Sequence, residues 1–181
     1  MQQDEAKLIR RAQLGEDDAL MALYRQHQAA VYTYILTHVS GNQAVAEDLT
    51  SEVFVRMVAR IHGWRGMGRP LQAWLITIAR NLVADHYRIE GRTPWLALHD
   101  TQAGDAPAPE SVSSANWERR RLYQALAQLT PDQRDVLVMR FFNEMSVAET
   151  AVTLHKQAGA VKTLTRRALA ALRRHLEKAD E

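Results

Sequence analysis

The sequence predicts an all-α protein, with two small helical domains joined by a flexible linker. Apolar residues recur at spacings of three, four and seven along most of the chain, which is the period of an amphipathic helix rather than of a strand. Residues 91–113 lack this period and contain three of the five prolines. Because proline interrupts helices, this segment separates a first domain, residues 1–90, from a second domain, residues 114–181.

The first domain contains three predicted helices and a glycine-rich loop. The helices are expected over residues 18–39, 45–61 and 71–90, where the apolar positions follow the helical period. A Ser-Gly-Asn turn at residues 40–42 separates the first two helices. Residues 62–70 hold three glycines and a proline, so a loop is expected between the second and third helices.

The second domain shows a helix-turn-helix pattern near its end. Helices are expected over residues 115–129, 131–142, 147–154 and 158–177. Thr130 and Pro131 are typical of an N-cap and the first helical residue after it, and Ser146 and Glu149 have the spacing of a capping box. Two helices joined by a turn of three or four residues, the second one basic, are typical of DNA-binding domains, although other small helical domains share the pattern.

Charge is distributed unevenly along the chain. The net charge is only +2, but residues 114–181 carry twelve basic and eight acidic side chains, and residues 91–113 carry a net charge of −2. From Lys156 to Lys178 there are seven basic side chains and a single acidic one, Glu177. These counts indicate either a polyanionic partner for the second domain or a solvated helix face.

The residues that the sequence lacks exclude several classes of protein. Without cysteine there is no disulfide, no thiol catalysis and no cysteine-ligated zinc. No run approaches the roughly 20 apolar residues that a membrane-spanning helix needs, and no apolar segment follows the charged N-terminus as it does in a secretion signal. We therefore expect a cytoplasmic protein with no membrane span.

The sequence predicts no catalytic, metal or cofactor site. Its seven histidines are scattered without an HExxH motif, and it contains no GxSxG motif. The glycine-rich loop lacks the Walker spacing and the Lys-Ser/Thr pair that would follow it. We therefore expect a protein that is not an enzyme, uses no cofactor and takes no small-molecule substrate.

Two helices combine the types of side chain that bind nucleic acids. On the last helix, basic residues flank an apolar stripe from Val161 to Leu176, so they can face phosphates or base edges. The helix of residues 71–90 mixes Trp74 with cations and an amide, which suits unstacked bases; alternatively, Trp74 belongs to the core. The helix of residues 45–61 has an acidic edge that indicates a protein contact or a solvated face, formed by Glu47, Asp48 and Glu52.

Three segments together resemble the motifs of one protein family. They are AEDLTSEVFVR at residues 46–56, LQAWLITIARNLVADHYR at 71–88 and LTPDQRDVLVMRFF at 129–142. They are similar, in this order, to the core-binding helix, the promoter-melting helix and the start of the C-terminal domain of bacterial sigma factors. The chain is thereby identified as a member of the extracytoplasmic-function (ECF) group of RNA polymerase sigma factors.

This resemblance implies an alternative sigma factor whose partners are core RNA polymerase and promoter DNA, and it leaves open whether an anti-sigma factor also binds. The first (sigma-two) domain would contact polymerase through Glu47, Asp48, Glu52, Phe54 and Arg56. It would recognise and open the −10 element through Trp64, Arg65, Trp74, Arg80, Asn81, His86 and Arg88. The second (sigma-four) domain would read the −35 element through Lys156, Lys162, Thr163, Arg166 and Arg167. The alternative is a stand-alone helix-turn-helix regulator.

The helix-turn-helix segment departs from the family pattern. The turn reads Leu-His-Lys-Gln at residues 154–157, where the family has leucine, glycine, an apolar residue and serine. Thr150 and Thr153 occupy positions that are usually apolar. Leu164 and Thr165 replace the usual arginine and leucine, which leaves two registers open: Leu164 in the apolar stripe with Thr165 outside, or Thr165 buried with Leu164 facing DNA. We favour the first, because burying leucine gains more transfer free energy.

Overall fold

The computed structural model describes residues 2–66, 69–89 and 114–178, and every regular element within these ranges is helical. The all-α prediction is confirmed, whereas the predicted linker, residues 91–113, lies outside the described residues. The helices are α1 (Gln2–Gln13), α2 (Asp17–His38), α3 (Gln43–Arg60), α4 (Leu71–Ile89), α5 (Ser114–Ala127), α6 (Pro131–Leu137), α7 (Val147–Thr153) and α8 (Ala158–Lys178). A 3-10 turn, Ile61–Gly63, follows α3, and a π-helical turn, Val138–Phe142, continues α6.

Helices α2, α3 and α4 pack into one bundle, as their periodicity predicts. The apolar stripe of α3 faces inward, and Val53, Met57 and Ile61 are almost completely buried. Each fully buried aliphatic side chain contributes about 1.5–3 kcal/mol. Asn42 caps α3 by accepting a hydrogen bond from the Val45 amide at 3.2 Å. The bundle therefore holds α4 and the loop before it on a rigid base.

Helix α1 has no counterpart among the predicted helices. Its apolar face is short but distinct, with Ile9 and Ala12 buried and most of its other described residues exposed. Polar contacts supplement this small face: the Glu5 carboxylate accepts a hydrogen bond from the Gln26 side chain and lies 2.9 Å from Nε2 of His27. Burial lowers the pKa of His27, although Glu5 acts in the opposite direction. These contacts join α1 to α2.

In the second domain, α5, α6 and α7 pack on α8. Both predicted capping motifs are present: Thr130 with Gln133 at the start of α6, and Ser146 with Glu149 at the start of α7. The segment after Pro131 ends at Phe142, as expected, but its last five residues form the π-helical turn, which the sequence pattern does not predict.

The two domains contact each other through a buried carboxylate, Asp135 of α6. Its Oδ1 accepts a hydrogen bond from the Tyr34 hydroxyl at 2.6 Å and lies 2.9 Å from Nε2 of His38. Its Oδ2 accepts a hydrogen bond from Nε of Arg80 at 2.9 Å. One side chain of the second domain therefore joins α2 and α4 of the first. Nearby, the Gln72 amide donates to the carbonyl of Asn143 at 3.0 Å.

Candidate nucleic-acid interface

The outer face of α3 combines charged and apolar side chains. Glu47 and Asp48 are exposed, and Glu52 accepts a hydrogen bond from Nε of Arg56 at 2.7 Å. Val55, which the sequence pattern does not single out, lies beside them with 62% of its surface exposed. Carboxylates on this face would repel the phosphates of a nucleic acid, so the surface suits a protein partner better.

Phe54 requires a correction. The family resemblance places it among the polymerase contacts, but the side chain is only 6% exposed. Its ring packs edge-on against Tyr24, with the two ring centroids 4.7 Å apart. The aromatic ring gains more from this core packing than from exposure at the surface, so Phe54 supports α3 from inside and presents no surface to a partner.

A pair of tryptophans marks the junction between the glycine-rich loop and α4. The rings of Trp64 and Trp74 lie 6.0 Å apart between centroids, and both residues are half-buried against the core. Gly66 has a φ of 68°, and a Cβ atom there would lie 3.3 Å from the Trp64 ring. Glycine is therefore favoured at this position, because another residue would strain the backbone and press its Cβ against the indole. Trp74 fits both interpretations of the sequence, a core residue and a surface for bases, since it packs on the core and keeps an accessible edge.

Three arginines surround this tryptophan pair in a cleft of about 460 Å³. They are Arg60, Arg65 and Arg69, and all three are exposed. Neither Arg60 nor Arg69 is among the individually predicted residues, although Arg69 lies within the glycine-rich loop and Arg60 lies just before it. Aromatic faces beside cations suit single-stranded nucleic acid, because bases stack on the rings while the cations pair with phosphates. We call this site the Trp64–Trp74 cleft.

The other predicted residues of α4 lie outside this cleft. His86 and Arg88 are on the same helix as Trp74 but about 18–21 Å further along its axis, from the rise per residue. Arg88 is exposed and pairs with Asp85 at 3.1 Å, whereas His86 is half-buried beside Tyr87. Asn81 is exposed between these two groups. A nucleic acid that contacted all of them would have to follow the length of α4.

The second domain covers part of this surface. Val152 and Thr153 of α7 line the Trp64–Trp74 cleft together with the loop. Arg80, a predicted DNA-binding residue, has its guanidinium on Asp135, and 39% of its side chain is exposed. In this arrangement the Trp64–Trp74 cleft and Arg80 are therefore both in contact with the second domain.

The recognition helix α8 presents a basic face. Lys162, Thr163, Arg166 and Arg167 are exposed, on the side opposite the buried Val161. Side chains on such a face can reach phosphates and base edges in a major groove. The arrangement can thus bind duplex DNA.

The structure shows what three residues of the helix-turn-helix contact: Leu164, Thr165 and Lys156. Leu164 packs against the core, as the first register requires, but Thr165 is half-buried as well rather than outside, and its hydroxyl donates to the carbonyl of Val161 at 2.8 Å. Nζ of Lys156 lies 2.8 Å from the Asp132 carboxylate. Lys156 therefore joins the turn to α6, and its ammonium group is less available to a DNA phosphate.

In the described part of the chain, no helix is both long and apolar enough to cross a membrane. In the same residue ranges, no group of three or more His, Asp or Glu side chains could hold a metal ion.

Comparison with known proteins identifies the family. The models of Sigma-70 region 2 and Sigma-70, region 4 match residues 23–93 and 119–172. The ECF RNA polymerase sigma factor BldN of Streptomyces coelicolor is 43% identical over 176 residues, which are 94% of this chain and 65% of BldN, so the chain spans about two thirds of that relative. The ECF sigma factor SigX of Bacillus subtilis is 30% identical, with 89% of this chain and 85% of SigX covered. The structure of CnrH in complex with the cytosolic domain of CnrY matches with a TM-score of 0.74 and 25% identity, covering 96% of this chain and 97% of that one. The chain belongs to the ECF RNA polymerase sigma factors.

Proposed function

We propose that this protein is an alternative sigma factor that binds core RNA polymerase and directs it to specific promoters. The observation that carries the proposal is the presence, in one chain, of an aromatic and cationic cleft on α4 and a basic recognition helix, α8. The first suits a melted strand and the second suits a duplex, which together are what promoter opening requires. The protein acts in the cytoplasm, where polymerase works, and has no enzymatic activity of its own.

The first domain, residues 1–90 in this proposal, binds polymerase and opens the −10 element. The outer face of α3 contacts polymerase through Asp48, Glu52 and Val55. The Trp64–Trp74 cleft receives a base from the melted strand. Unstacking a base costs a few kcal/mol, and stacking on an aromatic ring returns about 1–3 kcal/mol per base, so a tryptophan in the loop offsets much of this cost.

The second domain, residues 114–181 in this proposal, binds the −35 element through α8. Lys162, Thr163, Arg166 and Arg167 provide three cations and one hydroxyl on a single exposed face. Arginine reads guanine with two hydrogen bonds, and threonine can contact the methyl group of thymine. The segment 91–113 would connect the two domains through the interior of polymerase.

An anti-sigma factor completes the proposed partners. CnrH was solved with the cytosolic domain of a second protein bound, and its fold matches nearly the whole of this chain. We propose that a partner of this kind also binds this protein and holds it inactive.

Run-off transcription with purified core polymerase and a genomic DNA library tests the proposal. We expect transcripts from a limited set of promoters that share −10 and −35 sequences, and only when both this protein and core polymerase are present. Duplex binding at the same sites without polymerase, together with no transcript, would support the stand-alone regulator instead.

A further inference from the structure

The last residue of α1 is hydrogen-bonded to the loop that forms the Trp64–Trp74 cleft. The Gln13 side-chain amide donates to the carbonyl of Trp64 at 2.6 Å and to the carbonyl of Ile61 at 3.1 Å. The Gln13 carbonyl in turn lies 2.7 Å from Nδ1 of His62. Three contacts thus join one residue of α1 to a backbone segment about fifty positions later.

These contacts match the chemistry of glutamine. Its amide nitrogen carries two hydrogens, and here each one meets a backbone carbonyl. The Gln13 carbonyl lies in the last turn of α1, where no backbone amide of the helix donates to it. The imidazole of His62 lies within hydrogen-bond distance of this carbonyl instead. A glutamate would present oxygens to the same two carbonyls, so the site selects an amide.

The loop has few other regular restraints. The 3-10 turn ends at Gly63, Trp64 is extended with a ψ of 122°, and Gly66 is in the left-handed region. Glycines on both sides of Trp64 give this backbone a wide choice of conformations when it is unsupported. The Gln13 amide holds the peptide group that joins Trp64 to Arg65, and so restrains the backbone that carries the indole, which itself packs beside Trp74.

Helix α1 is a firm support for this contact. Ile9 and Ala12 are buried in the core of the first domain, and Glu5 bonds to α2. Gln13 itself is half-buried at the end of this anchored helix. The helix that the sequence pattern does not predict is thus the one that reaches the cleft.

We propose that Gln13 is a positioning residue for promoter opening, which holds Trp64 ready to stack against a base from the melted strand without touching DNA. The inference rests on the proposed sigma-factor function. Because the loop is ordered before the base arrives, the entropy of ordering it is not lost at that step. Removing the amide should therefore reduce strand capture more than it reduces any other activity of the protein.

The test compares Gln13→Ala with Gln28→Ala, which removes the same side chain from an exposed position on α2. Holoenzyme is assembled on a promoter found by the run-off assay, and opening is measured by permanganate reactivity of the −10 strand. We expect Gln13→Ala to reduce the equilibrium extent of opening roughly tenfold, from the loss of two hydrogen bonds, with Gln28→Ala unchanged. Binding to core polymerase and to a −35 duplex should stay at wild-type levels.

A double-mutant cycle distinguishes positioning from general stability. In a Trp64→Ala background the indole is gone, so Gln13→Ala should cause no further loss of opening. Hydrogen exchange of residues 62–66 should be faster in Gln13→Ala than in the wild type. An equal loss with and without Trp64, or no loss in either background, would overturn the inference. Failure of the wild type to open any promoter would instead refute the sigma-factor proposal.

Discussion

Leu164 is the residue of α8 on which the apolar register of the recognition helix can be tested. It packs against the core on the same side of α8 as Val161, whereas Leu169 on the same helix is 44% exposed. We predict that Leu164→Ala lowers the free energy of unfolding by about 2 kcal/mol, the lower end for a buried leucine because this one is only half-buried. Urea denaturation measures the change.

Leu169→Ala is the matched control for this prediction. It removes the same atoms from an exposed position of α8, so the free energy of unfolding should change by less than about 0.5 kcal/mol. Similar losses in the two variants, or a Leu164→Ala protein that unfolds like the wild type but loses discrimination at one base pair of the −35 element, would contradict the observed register.

Buried threonines show how this chain tolerates polar residues at positions that the family keeps apolar. Thr150 and Thr153 are buried, and each hydroxyl donates to the carbonyl four residues earlier at 2.9 Å. An unpaired buried hydroxyl would cost about 1–3 kcal/mol, and these bonds remove that cost. The neighbouring turn keeps a left-handed residue, His155 with a φ of 53°, where the family has glycine. The backbone of the motif is thus retained although its sequence differs.

At the scale of elements, the outer face of α3 supplies a prediction about polymerase. Asp48 is exposed on the same face of α3 as Val55, two turns away, so a charge reversal there changes the surface without disturbing the core. We expect Asp48→Lys to weaken binding to core polymerase by about 1–3 kcal/mol, measured by fluorescence anisotropy. Asp17→Lys, on an exposed position of α2, is the control and should bind like the wild type. Equal affinity of all three proteins would remove α3 from the interface.

The basic face of α8 supplies a second prediction, based on salt dependence. Arg166 is exposed, so Arg166→Ala should weaken duplex binding and reduce the slope of log affinity against log salt by about one unit if it contacts a phosphate. Lys156 is the informative comparison, because its ammonium is 2.8 Å from the Asp132 carboxylate. Lys156→Ala should change the slope less than Arg166→Ala does. The reverse order would mean that the Lys156–Asp132 pair opens on binding DNA.

The sequence predicts most elements of this fold because their apolar stripes are long. Helix α3 repeats an apolar residue at nearly every fourth position, and the caps of α6 and α7 follow known residue patterns. Helix α1 has only a short stripe around Ile9 and Ala12, and its position depends on polar contacts between residues distant in sequence, such as Glu5 with Gln26. The role of Gln13 cannot be predicted for the same reason, since it depends on carbonyl groups that only the folded chain brings within reach.

At the scale of the whole molecule, the two domains share a contact that also involves the proposed DNA-binding surface. Asp135 holds the guanidinium of Arg80, and α7 lines the Trp64–Trp74 cleft. Apolar side chains of both domains belong to one buried core, which includes Tyr34 of the first domain and Val136 and Met139 of the second. Asp135 adds the charged and hydrogen-bonded part of the contact.

The ionised form of Asp135 stabilises the closed arrangement, because the groups around it favour a carboxylate. Burial acts to raise its pKa, but hydrogen bonds from His38 and Tyr34 and the charges of His38 and Arg80 outweigh burial, so the pKa lies below its usual value of 3.8. A carboxylate with a lowered pKa stabilises the folded state above its unfolded pKa, and this contribution is lost as the pH falls through the folded pKa. The contribution of the Asp135 carboxylate to the contact should therefore be lost as the pH falls through its lowered pKa.

Asp135→Asn tests whether this residue keeps the domains together. The amide is similar in size but uncharged, and its NH₂ group would meet the donors that now point at the carboxylate, so we expect the domain contact to open. Because the chain has no cysteine, Gln28→Cys and Ala170→Cys, both at exposed positions, allow fluorescent labelling of one helix in each domain. Energy transfer between the labels should fall in Asp135→Asn. Affinity for the −10 strand should rise, since Arg80 and the cleft become accessible.

Glu177→Gln is the control, because Glu177 is exposed and pairs with Arg173 one turn earlier on the same helix, α8, of the second domain. Its energy transfer and its affinity for the −10 strand should match those of the wild type. Binding to a −35 duplex reports whether the second domain is still folded. This binding should be unchanged in both variants. If energy transfer falls in Asp135→Asn while affinity for the −10 strand stays constant, the domain contact and the DNA-binding surface are independent. Unchanged energy transfer would mean that apolar packing, for example of Tyr123 against Gly41, holds the domains together without the carboxylate.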